Sequence, residues 1–247
     1  MPQVKPRVEL IRYTSDPENI VAMGAKLCYS ASNIKDLTQK IESKDQSNFI
    51  KKLADMGHMS PVEHASFTFG IEGVSRSFLA QITRHRVASF SVQSQRYVTQ
   101  AKEGQEFTYV IPPAIEALGE EAVKKYKDQM ALIDGFYKDW VAALGNKGES
   151  SNEDARFVLP NACETKMLVT MNARELMHFF ELRCCNRAQW EIRSVAWEML
   201  RLCLEVAPNL FLAAGPSCVS GACAEGAMSC GKAAEVREKY KKIRGIE

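Results

Sequence analysis

Apolar residues recur along this chain at two spacings, and their order predicts a helix-dominated fold built around a small sheet. Residues 64–71 alternate, with Ala65, Phe67, Phe69 and Ile71 on one face, the period of a half-buried strand. Immediately after it Val74, Phe78, Leu79 and Ile82 recur at helical spacing and predict a helix over 75–85, on which Ser77, Gln81 and Arg84 form a separate polar stripe. Ala122, Tyr126, Met130, Ile133, Tyr137, Trp140 and Leu144 mark a long amphipathic helix in the stretch 101–150, followed by a loop over 145–150. Ala188, Ile192, Val195, Met199, Leu202 and Val206 mark another, which runs to about Ala207 and is stopped by Pro208.

Shorter signals fill the intervals. A strand is expected over 9–13, a helix over 17–27 that starts in an acidic turn (Asp16, Glu18), and a helix over 46–56 ended by Gly57. A short helix over 153–157 precedes Pro160, and 164–171 reads as a strand with mixed faces. Asn172 then caps a helix, with Glu175 three residues on as in a capping box. No internal repeat or linker interrupts this order. The expectation is an α+β fold: one helix-rich domain with a central mixed or antiparallel sheet over 1–214, and a Cys- and Gly-containing tail over 215–247.

Composition adds limits. The chain has 247 residues, 46% of them hydrophobic, enough to bury a full core. Its 32 Lys and Arg against 30 Asp and Glu leave a formal charge of +2, so any electrostatic function has to be local. No apolar run is long enough to span a bilayer, and the start, Met1-Pro2-Gln3-Val4-Lys5, lacks the apolar core of a signal peptide. Eight cysteines, including the adjacent Cys184 and Cys185, do not resemble a secreted disulfide framework, so a reducing cytoplasm is expected.

Candidate chemistry concentrates in a few places. Arg84-His85-Arg86 ends the predicted 75–85 helix beside a loop rich in hydroxyls and amides: Ser89, Ser91, Gln93, Ser94 and Gln95. Fixed positive charge next to many hydrogen-bonding groups suits a phosphate-bearing small molecule. His58 and His64 share the polar turn 57–64, and His178 lies four residues after Arg174 on one helix face. Arg156 precedes an apolar stretch. Arg174 stands at a helix start, where a cation opposes the dipole. Arg183 follows Phe179, Phe180 and Leu182, so its head is expected near apolar surface, where a guanidinium binds developing negative charge strongly; pairing with Glu181 or Glu191 is the plain alternative.

Other chemistries fit less well. A zinc site from His58, His64 and Glu63 lacks a common ligand spacing, and no metal is expected. Ser94 with His85 as base lacks the nucleophile elbow, and two arginines would flank that base. Nucleic-acid binding has no basic stripe to continue the triplet. Cys218, Cys223 and Cys230 have a C-x4-C-x6-C spacing without a CxxC or an evident fourth ligand, so a mobile tail with free thiols is expected.

Three ordered blocks carry a resemblance. Arg84-His85-Arg86, then seven residues, then Ser94 and Arg96, resembles the signature of the flavin-dependent thymidylate synthases. The turn Gly57-His58-x-Ser60-Pro61-x-Glu63-His64 is similar to that family's upstream motif. Asn172-Ala173-Arg174-Glu175-Leu176-x-His178-Phe179-x-x-Leu182-Arg183, with Ala188-Gln189-Trp190-Glu191-Ile192, resembles its third block, and the match spans about 25–202. The resemblance implies reductive methylation of dUMP to dTMP, with methylenetetrahydrofolate as carbon donor, FAD as flavin and NADPH as reductant, in a homotetramer whose sites lie where subunits meet. It implies that Ser60, Arg84, His85, Arg86, Asn172, Arg174 and His178 hold FAD, with His58 near the flavin ring. It assigns Gln81, Arg84, Gln93, Ser94, Gln95, Arg96, Arg156 and Arg183 to the nucleotide, Arg183 as activator of the uracil and Ser94, less well supported, as a nucleophile. Val92 stands where the family often has an acidic residue, and Cys28 where a small hydroxyl residue can occur. A nucleotide- or RNA-binding module using the same arginines is the alternative.

Overall fold

The computed structural model describes residues 3–100 and 104–245. The ends of the expected 1–214 and 215–247 divisions, and the first residues of the 101–150 stretch, lie outside them. The elements run β1 (Arg7–Tyr13), α1 (Pro17–Leu27), α2 (Ile34–Glu42), α3 (Ser47–Asp55), β2 (Ser66–Ser75), α4 (Arg76–Ile82), β3 (Ala88–Val92) and α5 (Pro113–Glu116). They continue with α6 (Glu120–Ala143), α7 (Glu149–Ala155), β4 (Glu164–Asn172), α8 (Ala173–Arg183), α9 (Trp190–Val206) and α10 (Ala233–Ile243). The strands form an antiparallel four-stranded sheet in the order β1-β2-β4-β3, so the fold is α+β.

The chain forms two compact units interleaved in sequence. Unit 1 comprises 1–7, 71–84 and 90–168; unit 2 comprises 8–70, 85–89 and 169–247. One of their boundaries along the chain falls inside the basic triplet, after Arg84.

In unit 2, phenylalanines form the centre. Phe67 of β2 meets Phe211 edge-on at 5.3 Å, Phe180 of α8 meets Phe211 at 6.0 Å, and Phe179 meets Phe180 at 5.8 Å. All four are fully buried, each contributing about 1.5–3 kcal/mol. The segment carrying Phe211 is tied to α1 by Glu18, whose carboxylate accepts from the backbone N–H groups of Asn209 (2.7 Å) and Leu210 (3.1 Å). Gly57 ends α3 at φ 68°, a left-handed conformation that glycine adopts without a Cβ clash, and His58 N donates back to Leu53 O at 3.1 Å. In unit 1, Phe107, Tyr109, Ile111, Met130 and Cys163 form one buried cluster and Tyr137, Val141 and Ala155 another.

Several elements differ from the sequence expectation. Helix α4 stops at Ile82, and Ser75 is its N-cap, accepting from Phe78 N at 3.1 Å, so the basic triplet follows the helix instead of ending it. The hydroxyl-rich loop contains strand β3, where Ser89 and Ser91 are exposed and Ala88, Phe90 and Val92 half-buried. The short helix before Pro160 lies earlier, over Glu149–Ala155. Helices α2, α5 and α10 have no counterpart in the sequence reading; α2 has its own signal in Asn33, whose side chain accepts from Asp36 N. The tail read as mobile holds α10, with Val236 and Tyr240 buried, and Arg237 donates to the carbonyls of Cys218 (2.8 Å) and Gly221 (2.9 Å).

Gly73 is the sharpest backbone constraint. It has φ 68°, and a Cβ there would lie 2.0 Å from the Lys5 carbonyl oxygen, while its N–H donates to Glu164 at 3.0 Å. Gly73→Ala should therefore lower stability by at least about 1–3 kcal/mol in chemical unfolding; an unchanged midpoint would show that the backbone at this point of β2 relaxes freely.

Candidate active site

The triplet separates into unlike members. Arg84 and Arg86 are exposed, whereas His85 is only 6% exposed. The His85 ring packs edge-on against Phe179 at 4.9 Å and faces His178 at 6.2 Å. Its Nε2 lies 3.0 Å from Nε of Arg183, and its Nδ1 lies 3.2 Å from Oε1 of Glu175. A guanidinium N–H is always a donor, so Nε2 must accept and the imidazole proton sits on Nδ1, where the Glu175 carboxylate receives it. Burial holds the His85 pKa below its ordinary value; Glu175 opposes that shift, and Arg183 and His178 add to it. The result is a neutral imidazole in one tautomer, gripping the arginine at the C-terminal end of α8.

Helix α8 organises this side of the site. Asn172 caps it by accepting from Glu175 N at 2.9 Å, as the capping pattern predicts. The Glu175 carboxylate is used elsewhere, on His85. Ala173 N donates to Ala65 O at 2.7 Å, which sets the helix start beside the turn 57–64. There Arg174 pairs with Glu63 at 2.5 Å. Arg174 and His178 line a cavity of about 460 Å³ with Met59, Met177 and Glu181. His58 and Ser60, both exposed, line a second, mostly apolar cavity of about 690 Å³ with Tyr29, Phe49 and Leu53. His64 instead packs on α1, where a Cβ at Gly24 would come within 2.8 Å of its ring. Among the described residues no group of three His, Cys, Asp or Glu side chains is arranged to hold a metal ion.

The other predicted residues gather in unit 1 around the loop after β3. Gln93 N donates to Lys166 O at 2.9 Å, and Ser94 Oγ accepts from Arg96 N at 3.1 Å, which shapes the turn. Gln95 donates to Cys163 Sγ at 3.3 Å, and burial raises that thiol to about 11, keeping it protonated. Arg96 is gripped by two carboxylates of the α7 region: Glu149, and Glu153 at 3.2 Å from its Nε. Asn152 completes the hold by donating to Arg96 O at 3.1 Å. Arg156 donates to Glu153 O at 3.2 Å. Gln81, half-buried on α4, donates to Ser77 O at 3.3 Å.

Arg76 was not among the expected residues. Its Nη2 donates to Gln93 O at 3.3 Å, but its Nε is buried without a partner. Burial lowers its pKa; Cys163 opposes the shift and Arg156 adds to it, so the two guanidiniums feel each other's charge. A cation at the N-terminus of α4 was the available signal. Arg76 reaches the loop after β3 through Gln93, and Arg156 lies near enough to Arg76 to affect its charge.

These features define an α+β protein with an arginine-bearing loop after β3 and a histidine-held arginine. A profile of the thymidylate synthase complementing protein family matches residues 9–209. The chain is 50% identical to a flavin-dependent thymidylate synthase of Geobacter sulfurreducens, over 96% of this chain and 99% of that one. It is 48% identical to the enzyme of the same name from Clostridium tetani, over 95% of this chain and 96% of that one. Its fold is similar to the crystal structure of flavin-dependent thymidylate synthase from Helicobacter pylori, complexed with FAD and dUMP, with a TM-score of 0.62 and 23% identity, covering 85% of this chain and 99% of that one. The chain belongs to the flavin-dependent thymidylate synthase family.

Exposed ion pairs such as Arg96 with Glu149 are weak and exchange readily for a better anion. Glu149→Gln should therefore tighten binding of inorganic phosphate a few-fold in calorimetric titration. Unchanged or weaker binding would mean that Arg96 does not receive the anion.

Proposed function

We propose that this chain converts dUMP to dTMP by reductive methylation, with methylenetetrahydrofolate giving the carbon and NADPH the reducing equivalents through FAD. The family match supports the activity, and no observation favours the nucleic-acid alternative. The single observation that carries the residue-level reading is Arg183, a guanidinium whose Nε is held in place by a buried neutral histidine.

The reaction needs such a charge. Carbon 5 of uracil is a weak nucleophile until its ring carries enolate character. Arg183 beside the N3 and carbonyl edge stabilises that developing anion, and a preorganised cation does so with little reorganisation. Ser94, Gln95 and Arg96 receive the phosphate, Arg96 exchanging its carboxylates for it, while Gln81, Arg84, Gln93 and Arg156 complete the nucleotide contacts. Ser94 is a binding group: its hydroxyl shapes its own turn, and both ring nitrogens of His85 are committed elsewhere, leaving that histidine no base for it.

FAD fits the donor set of unit 2. Asn172 capping α8, and Arg174 and His178 along it, with exposed Arg86, offer cationic and hydrogen-bonding groups suited to a pyrophosphate, and the adjoining cavities mix these with apolar surface for rings. Ser60 and His58 belong to the same set. His85 serves it through its backbone or through Arg183, since its ring is engaged. When bound, the flavin supplies the hydride that reduces the transferred carbon to a methyl group. Membership of the family supports the homotetramer that the resemblance implies, in which neighbouring subunits complete each site. Eight free cysteines support a cytoplasmic setting; among the described residues no helix is long and apolar enough to cross a membrane.

The purified protein should be yellow, and its flavin absorbance should change on addition of dUMP; a colourless chain that cannot be reconstituted with FAD would overturn the reading. Arg183→Ala should abolish dTMP formation while leaving FAD bound. Turnover at the unmodified rate would remove Arg183 from the activating role.

A further inference from the structure

We infer that His85 and Glu175 are positioning residues for the reaction, fixing the Arg183 guanidinium through the chain Glu175–His85–Arg183. This rests on the reading of Arg183 as activator and extends it to how that activator is held. The three residues come from distant parts of the sequence, 90 residues separating His85 from Glu175 and 98 separating it from Arg183. Yet they form one linear relay. Glu175 accepts a hydrogen bond from Nδ1–H, which keeps the proton on Nδ1 and leaves the Nε2 lone pair aimed at Arg183 Nε.

The geometry is specific to positioning. A neutral imidazole acceptor orients the guanidinium without adding a counter-charge of its own. Because the contact uses Nε, the terminal nitrogens on the far side of the fork stay directed by it. The carboxylate is one residue removed, near enough to choose the tautomer. Phe179 against the ring fixes its plane, and burial makes the charged form costly.

The relay also gives a pH dependence. The titratable and charged groups around His85 are Glu175, His178 and Arg183 from α8, while Arg84 and Arg86 beside it in sequence are exposed. Protonating Nε2 removes the acceptor and sets imidazolium against guanidinium, so activity falls as pH drops through the His85 pKa. That pKa is below the ordinary histidine value, with burial as the main cause, and Glu175 is the group holding it up. Removing the Glu175 charge while keeping its acceptor oxygen therefore moves the acid limb to lower pH.

The test uses FAD-loaded full-length enzyme and its dUMP-dependent turnover. His85→Phe, which keeps a ring but loses the acceptor, should lower kcat about tenfold to a hundredfold, with FAD content retained and a smaller change in KM for dUMP. His85→Gln, whose side-chain carbonyl can accept from Arg183, should recover part of that loss. Glu175→Gln should shift the acid limb of kcat downward, a readout that remains if His85→Phe does not fold. An acid limb unmoved in Glu175→Gln, or a folded His85→Phe with unaltered kcat, would overturn the proposal. Arg183→Ala separates the two readings. If it turns over normally, the activator role itself fails; if it is inactive while the His85 and Glu175 variants behave like the parent, only the positioning role fails.

Discussion

An arginine cannot give up its proton, and most of this site follows from that fact. Once Arg183 Nε points at the buried ring of His85, the ring has to be neutral, its proton has to sit on Nδ1, and a group has to receive that proton. Glu175 does so, one turn into α8. The same helix thus supplies the carboxylate at one end, the arginine at the other, and Phe179 between them as a wall for the ring. The core and the site are coupled here: Phe179 and Phe180 anchor α8 in unit 2 through Phe211, so the packing that stabilises the helix also fixes the spacing of the relay.

The arginine-bearing loop in unit 1, proposed above to receive a phosphate, follows a different logic. Its arginines are not uniformly held. Arg96 is exposed and paired with carboxylates, a state that yields to a stronger anion at little cost. Arg76 is partly buried and carries an unpartnered Nε, with Arg156 close enough to disfavour its charge. Two cations that repel in a low-dielectric setting are a standing preference for an anion. A loop can be adjustable because its ligand brings its own charge; an activating arginine cannot, because it must be in place as charge develops on the substrate.

Much of the fold was legible from periodicity. Helices α6 and α9 and strand β2 appear where apolar residues recur, because each buries one continuous face. Elements with a weak or interrupted apolar pattern were not: α10 is mostly charged outside Val236 and Tyr240, and the hydroxyls of β3 look like a loop although Ala88, Phe90 and Val92 alternate with them. The site divides the same way. Residues in contiguous blocks, such as Arg84, Ser94, Arg96, Arg174 and Arg183, could be picked out by their setting and by resemblance. What the arginine of α8 contacts could not. His85, an acceptor for its Nε, lies 98 residues away in sequence. The capping pattern also misdirected Glu175, whose backbone fulfils it while its carboxylate serves the histidine.

With only four histidines in the chain, the state of His85 can be read directly in holoenzyme carrying 15N-labelled histidine. At neutral pH the account predicts a neutral ring with a protonated Nδ1 and a bare Nε2, and it predicts that Arg183→Ala perturbs the Nε2 resonance most. An imidazolium, or a ring protonated on Nε2, would contradict it, since neither can accept the hydrogen bond on which the placement of Arg183 depends.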